Sequence, residues 1–437
     1  MEVLQDTYKD TKIGRIPKDW RVLKFRDIFN FIITSSHSKN EMVYSETDTE
    51  IYNVHYGAIH TTYKEQILDF EKYDIPRITD DSKLPREDQF LMDGDLVIVD
   101  ASEDWGGMGE CVELKNIGSK KVIGGLHTFA VRDKVNSFAK GFAGYIFQNT
   151  AVRNKLASYA NVSKVYGITK GNISNVPIVI PTLPEQQKIA AILSTLDEQI
   201  STTDKIIEKS KELKKGLMQK LFSEGIGHTE FKDTKIGRIP KDWEVVRLDT
   251  VSSKIGDGLH STPNYTDDSD YYFVNGNNLI KGEIQIKPNT KRVTKEEYIK
   301  HKKQLTTSTI LMSINGTIGN LAFCNMENIV LGKSAAYINL NTSRINKVFF
   351  YYFLQTHQIK LFYLKELTGT TIANLSLKSI RKTPTVLPSN EEQQKIADIL
   401  SEADAKIEKE QTQKTQLETL KKGLMQQLLT GKKRVKV

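Results

Sequence analysis

Cysteine is scarce in this sequence: its 437 residues hold only Cys111 and Cys324, far apart, with no CxxC pair and no histidine-rich companion. That speaks against a disulfide framework or a zinc site and predicts two buried, reduced thiols. Long hydrophobic runs are missing too. No stretch approaches eighteen apolar residues, and the opening MEVLQDTYKD has neither a basic n-region nor an apolar h-region, so a cytoplasmic protein without a membrane partner is expected. A strong excess of one charge is also lacking. The 62 basic residues stand against 54 acidic ones, and a net charge of +8 favours a polyanionic partner only mildly.

Catalytic signatures are equally thin. Gly332 to Ser334 reads GKS, but the earlier glycine of a phosphate-binding loop is replaced by Glu327. There is no Asn/Asp-Pro-Pro-aromatic tetrapeptide of the kind adenine methyltransferases place against a flipped base, and no glycine-rich nucleotide fingerprint. Glu113 to Lys115 reads ELK after Asp95, Asp100 and Asp104, a D…ExK pattern that nucleases use to hold Mg²⁺. The same E-x-K recurs at Glu212 to Lys214 in a helical region, as chance predicts in a chain this rich in Glu and Lys.

What the sequence does have is repetition. KDTKIGRIPKDW occurs at Lys9 to Trp20 and, letter for letter, at Lys232 to Trp243. EQQKIAAIL from Glu185 returns as EQQKIADIL from Glu392, and KKGLMQKLF from Lys214 returns as KKGLMQQLL from Lys421, both at an offset of 207 residues. The chain therefore reads as arm, variable block, helix, and again arm, variable block, helix. The variable blocks span Arg21 to Ile180 and Glu244 to Leu387. The expected divisions are 1–180, a helix at 181–225, 226–387, and a second helix with a basic tail at 388–437.

From Glu185 to Phe222 there is no proline and one glycine, and Ile189, Leu193, Leu196, Ile200, Thr203, Ile207 and Ser210 alternate spacings of four and three. That is a heptad seam. It is apolar at its start, polar at its middle, and read as apolar again through Leu213, Leu217 and Leu221, with Leu420, Leu424 and Leu428 in the repeat. Two such rods in one chain pack most economically on each other as an antiparallel pair with pseudo-twofold symmetry. A second, exposed stripe of Lys214, Lys215, Met218 and Lys220, repeated at Lys421, Lys422 and Met425, can dock a partner or can be a solvated charged face.

The blocks read as α+β. DLVIVDAS from Asp95 and TILMSING from Thr309 have the look of strands closed by polar turns. FAGYIFQNTAVRNKLASYA from Phe142 and KVFFYYFLQTHQIKLFYLKEL from Lys347 read as helical and follow in the same order, so the two blocks share one fold despite little identity. Identical arms and rods suit two copies of one partner; divergent blocks on one fold suit the reading of two different things.

The IGRIPKDWEVVRL arm, the variable block, the LPEQQKIAAIL helix and their repetition resemble the specificity subunit of type I restriction-modification systems over nearly the whole chain. The resemblance implies two globular α+β target recognition domains joined by two long helices packed as an antiparallel coiled coil. It also implies a non-catalytic subunit that recruits two methyltransferase subunits, and often two restriction subunits, to a split, asymmetric site in double-stranded DNA. No cofactor belongs to this chain on that reading: S-adenosylmethionine sits on the methyltransferase subunits, ATP and Mg on the restriction subunits. The remaining readings are a Mg-dependent endonuclease and a coiled-coil protein-binding scaffold.

The family's DG-x-H-x-TP loop is matched by KIGDGLHSTPNY from Lys254. There Gly256 and Gly258 allow close backbone approach, and Lys254, His260, Ser261 and Thr262 offer phosphate or base hydrogen bonds. In the first block ITSSHSKNE lacks those glycines and carries over only His37 and Lys39. Asn275, Asn277 and Asn278, and opposite them Asn53, His55 and Tyr56, either read an adenine edge or cap the chain after a strand. The loops before the rods add Ser163, Lys164, Tyr166, Thr370, Thr371 and Asn374, and Trp105 is either a wedge or a packing residue.

Overall fold

The repeated arm folds twice in the same way, and its sequence dictates why. Lys12 and Ile13 make a tight turn that needs a left-handed residue next, and Gly14 supplies it at φ +107°, as Gly237 does at +105°. Tyr8–Thr11 then pairs antiparallel with Gly14–Pro17, and Phe231–Thr234 with Gly237–Pro240. Lys9 Nζ donates to the carbonyls of Lys18 and Trp20 and Lys232 Nζ to those of Lys241 and Trp243, which fixes each arm's exit. Trp20 and Trp243 are both buried.

The computed structural model describes residues 7–44, 50–79, 84–103, 107–159, 161–162, 166–368 and 373–437. Two compact units emerge, Met1–Lys205 with Thr412–Val437, and Ile206–Gln411. This division falls within both long helices, so each unit holds a segment of each. Among the described residues no helix is long and apolar enough to cross a membrane.

In the first unit a five-stranded sheet runs in the order Phe29–Ile32, Thr128–Asp133, Leu96–Val99, Cys111–Lys115, Ile67–Asp69. Leu96–Val99 is buried on both faces, which is why LVIV is an unbroken apolar run and does not alternate. A second sheet pairs Lys121–Gly124 in parallel with Ile51–Val54. The second unit repeats this plan: Ser252–Asp257, Ala335–Leu340, Thr309–Ser313 and Leu321–Phe323 form one sheet, and Tyr272–Val274 pairs in parallel with Ile329–Leu331 in the other. Arg21–Lys24 pairs with Pro177–Ile180, and Glu244–Arg247 with Pro384–Leu387, so each block closes on its own ends. Each predicted block helix is broken in two. Ala143–Gln148 is a 3₁₀ turn before Thr150–Ala157, and Lys347–Phe353 precedes His357–Glu366, because Asn149 and Thr356 adopt extended, N-capping backbone between the pieces.

The long helices are Leu183–Glu224 and Asn390–Leu428. Within the first unit their segments run antiparallel: Asp197 pairs with Lys421, and Asp204 with Lys414 at 2.6 Å. Within the second, Lys214 Nζ lies 2.6 Å from Asp404. The seam departs from the expectation in its last third. Leu213 and Leu420 are 61% and 50% exposed, while Lys214 and Lys421 turn inward. Alternating steps of four and three continue from Ser210 to Lys214, not to Leu213, and a lysine can bury its alkyl stem there because an aspartate receives its ammonium.

Each helix start seats an arm and a block through two neighbouring side chains. Glu185 is fully buried and accepts from Trp20 Nε1 at 2.8 Å, Thr182 Oγ1 at 2.9 Å and Arg434 Nε at 2.8 Å. Gln186 accepts from Ala139 N and donates to the carbonyls of Ser137 and Pro181. In the second unit Glu392 accepts from Trp243 Nε1 at 3.0 Å, and Gln393 accepts from Asn346 N and donates to Arg344 and Pro388. The conserved chemistry of E-Q at the repeated helix start is thus one residue for the arm and one for the block.

Replacing Glu185 by alanine leaves the Trp20 indole N–H and Arg434 Nε without their acceptor, and should lower unfolding stability in urea by about 2–3 kcal/mol. Burial alone would raise the Glu185 pKa, but hydrogen bonds from Arg434, Trp20 and Thr182 hold it below the usual glutamate range. The folded value lies under the unfolded one, so this stabilisation is complete above the unfolded pKa and is lost as pH falls through the folded one. The stability gap between wild type and Glu185→Gln should therefore narrow as pH falls below the ordinary glutamate range.

Candidate nucleic-acid interface

In the second unit three loops are tied to the turn Leu331 to Ser334, and a fourth is tied to one of them. Leu259 N donates to Leu331 O, Gly276 N to Ser334 Oγ, Ile314 N to Ser334 O and Asn315 Nδ2 to Lys333 O. Gly316 N in turn donates to Ala373 O, and Asn315 bridges Asn374. The result is a rim on which His260, Ser261, Thr262, Asn277, Thr317 and Lys333 are exposed. Lys254 is exposed on the strand that leads to it. His260 is 70% exposed and held by Asp257 at 2.7 Å.

Several expected contact residues serve the fold instead. A Cβ on Gly258 would lie 2.2 Å from Gly332 O, and one on Gly256 2.6 Å from the Tyr337 hydroxyl oxygen. The glycines of the DG-x-H loop therefore admit a neighbouring strand and a tyrosine ring of the same domain. Asn278 is 5% exposed: its Oδ1 accepts from Asn275 N, and its Nδ2 donates to Gln285 O and Thr290 Oγ1. Asn275 caps the same turn and accepts from Ser334 Oγ. Of the three asparagines only Asn277 faces solvent. Asn374 is half-buried in a two-residue strand.

The first unit presents different chemistry at the corresponding place. Asn53 is fully buried, donates to Ser35 Oγ and lies 2.3 Å from where a Cβ on Gly125 would stand. His37 is fully buried as well, while Lys39 is exposed in a 3₁₀ turn boxed by Ser38 and Glu41. His55 caps a helix by accepting from Gly57 N; burial first, then His127 and Lys39, hold its pKa below the usual imidazole range. It is therefore neutral near pH 7, with its other nitrogen carrying the proton. Tyr56, half-buried, stands among three imidazoles, with ring centroids 4.5 Å from His55, 5.3 Å from His127 and 6.2 Å from His60. His127, at φ +56°, is half exposed beside Asp100, and His60 lies 2.8 Å from Glu110. Tyr166 is half-buried in a strand against Ala101–Ser102. Ser163, Lys164, Trp105, Thr370 and Thr371 lie outside the described residues.

Sequence reasoning missed His60, His127, Thr317 and Lys333. Lys333 was legible only as part of an incomplete phosphate loop, and the two histidines come from separate segments that only the fold brings to Tyr56. The expected partner stripe is divided: Lys215 and Lys422 are exposed, Met218 and Met425 pack partly on the cores, and Lys214 and Lys421 are engaged inside the helix pair. Two carboxylates of the nuclease-like pattern are engaged within the fold, and Asp104 lies outside the described residues. Asp95 pairs with Arg132 at 2.7 Å, and Glu113 is buried and accepts from the backbone of Gly141 and Gly144. Among the described residues no cluster of three His, Cys, Asp or Glu could hold a metal ion.

Residues 17–212 and 240–419 match the family model described as "Type I restriction modification DNA specificity domain". The type I restriction enzyme MjaVIII specificity subunit of Methanocaldococcus jannaschii is 28% identical, the alignment covering 99% of this chain and 97% of that one. The MjaIX specificity subunit of the same organism is 25% identical over 98% of this chain and 96% of its own. Among solved structures, the type I restriction-modification S subunit of M. genitalium superposes with a TM-score of 0.53 at 15% identity, covering 94% of this chain and 96% of that chain. A chain from work on complex assembly and conformational transition of the type I R-M system superposes at 0.58 and 16% identity, covering 95% and 99%. At these identities the structural likeness shows the fold.

The roles of the two neighbouring asparagines can be separated. Asn278→Ala should cost about 1–3 kcal/mol in denaturant unfolding, because it strips partners from buried groups. Asn277→Ala should stay within about 0.5 kcal/mol of wild type.

Proposed function

This chain belongs to the family of type I restriction-modification specificity subunits, and from that membership we propose that each of its two blocks reads one half of a split, asymmetric DNA site. The long helices set the gap between the half-sites and recruit two methyltransferase subunits for adenine methylation. Restriction subunits join the same assembly for cleavage. The chain works in the cytoplasm and performs no chemistry itself; S-adenosylmethionine is bound by the methyltransferases, and ATP and Mg by the restriction subunits.

The observation that carries this reading is a contrast inside one chain. The seats of the two blocks are equivalent residue by residue, from Trp20, Glu185 and Gln186 to Trp243, Glu392 and Gln393. The rims are unlike: Tyr56 among imidazoles in one, and His260, Asn277, Thr317 and Lys333 in the other. Lysines such as Lys333 and Lys254 suit phosphate contacts, which position the protein and make binding salt-dependent. Asn277, Thr317 and His260 carry the hydrogen-bonding groups that distinguish base edges in the major groove.

Two changes to the chain test the proposal by sequencing of methylated sites. Exchange of residues 21–180 for the corresponding block of a relative should alter one half of the methylated motif and leave the other unchanged. Insertion of one heptad into each long helix, after Lys205 and after Gln411, adds about 10 Å of helix. The gap should lengthen by about three base pairs at 3.4 Å each. A change in both halves, or an unchanged gap, would refute the respective part of the reading.

A further inference from the structure

A groove of about 630 Å³ lies in the second unit, between residues 211–219 of the first long helix and the start of the helix His357–Glu366. Its lining has lysines at 211, 214, 215 and 360, together with His357 and Met218, and no carboxylate. Lys211 is partnered by Glu208 and Lys214 by Asp404. Among the described residues no carboxylate lies within ion-pair distance of Lys215 or Lys360, and both are exposed. The helix start adds to the positive field. Thr356 donates its hydroxyl back to Phe353 O, so the first turn of His357–Glu366 has no side-chain cap.

Two observations point to a protein and away from nucleic acid. The far end of the helix His357–Glu366 runs into Leu367–Thr368, whose partner strand, Asn374–Leu375, is bonded to the reading rim. The groove lies at the opposite end, about 15 Å along a ten-residue helix. Part of the lining also recurs, three positions from the repeated helix and two from the diverged blocks, while Lys211 and His357 give way to Glu418 and Thr150 in the other copy. Lys215, Met218, Gln219, Gln355 and Lys360 correspond, 207 residues apart, to Lys422, Met425, Gln426, Gln148 and Arg153. A rim that reads a half-site has no cause to be duplicated, whereas a surface that meets two copies of one protein does.

We infer that this groove docks a carboxylate-bearing segment of the methyltransferase subunit, Lys215 and Lys360 receiving its acidic side chains and Met218 an apolar neighbour. The inference rests on the proposed function in one respect, that this chain recruits a methyltransferase.

The test uses the full-length chain and its cognate methyltransferase subunit, with binding followed by titration calorimetry at two salt concentrations. A Lys215→Glu/Lys360→Glu variant should bind one methyltransferase copy at least tenfold more weakly, with unchanged thermal unfolding and unchanged affinity for the methylated DNA site. A Lys215→Gln/Lys360→Gln variant should show a smaller loss and a shallower salt dependence than wild type. Unaltered methyltransferase affinity in the charge-reversed variant would overturn the inference and leave the proposed function standing. So would a loss of DNA affinity in place of methyltransferase affinity, which would make the groove a phosphate contact. A wild-type chain that binds no methyltransferase would sink both.

Discussion

Two glutamates at the starts of the long helices, Glu185 fully buried and Glu392 mostly so, are the constraint on which the architecture depends. A carboxylate taken out of water is costly unless its oxygens are filled by donors. Glu185 meets this with an indole, a hydroxyl and a guanidinium; Glu392 does so with an indole, the Ile226 amide and the His228 ring. The indoles belong to the repeated arms, so each arm is placed by a requirement of the helix and not only by the burial of its own tryptophan. The third donor differs for a topological reason. Glu392 faces the segment that leaves the first helix and enters the second arm, and that segment supplies His228. Glu185 faces the residues after the second helix, where Arg434 plays the part, also reaching Asp19, while Tyr8 donates to Gly431 O. The chain's last residues thus stand where a linker stands in the other unit, and the two seats are equivalent although only one lies within a continuous stretch of chain.

The middle of the helix pair shows how the blocks are held in addition to being seated. Asp197 receives Lys421 from the opposite helix and the Tyr145 hydroxyl from the block, and Asp404 receives Lys214 and the Tyr352 hydroxyl in the same manner. Burial, the largest effect, together with the neighbouring carboxylate, pushes both tyrosine pKa values far up, so the phenols remain donors throughout the physiological range. Each aspartate is therefore a joint among one block and two helices. Buried ion pairs contribute little net stability, and apolar replacements at such places are often at least as stable. Their better-attested use is in fixing register. A slip of the first helix by one residue would separate Asp197 from Lys421 and from Tyr145 together, and a slip of the second would separate it from Lys421, whereas a seam of leucines would tolerate either.

Much of this was legible in the sequence because it rests on local periodicity and on repetition. The arms, the rods, the shared block fold and the break in apolar character at the seam's middle all follow from spacing alone. What was not legible depends on partners far away in the chain. Leu213 was read as a seam residue because it is apolar, yet the alternation of four and three leads to Lys214, whose burial is possible only with Asp404 opposite. Asn278 and Asn277 are neighbours of one residue type, and nothing local distinguishes them; Gln285 and Thr290, beyond the next strand, turn one of them inward. Gly256 and Gly258 signal a close approach without saying of what, and Tyr337 and Gly332 are the answer. His60 and His127 gather at Tyr56 from segments that share no pattern.

The separation of seat from rim explains why such blocks can diverge so far without loss of the fold. Within the arm and the block, Glu185, Gln186 and Asp197 reach only Trp20, the backbone of residues 137–139 and the Tyr145 hydroxyl. None of these groups lies in the loops at Gly332 to Ser334, or in the corresponding loops around Tyr56. A substitution at Lys333 or His127 therefore leaves every hydrogen bond of the seat in place, and the rim can change one side chain at a time. The inverse does not hold: a change at Gln186 or Gln393 removes hydrogen bonds that seat the block on its helix. Selection on what is read can act on the loops alone, while the helix starts stay as they are in both copies.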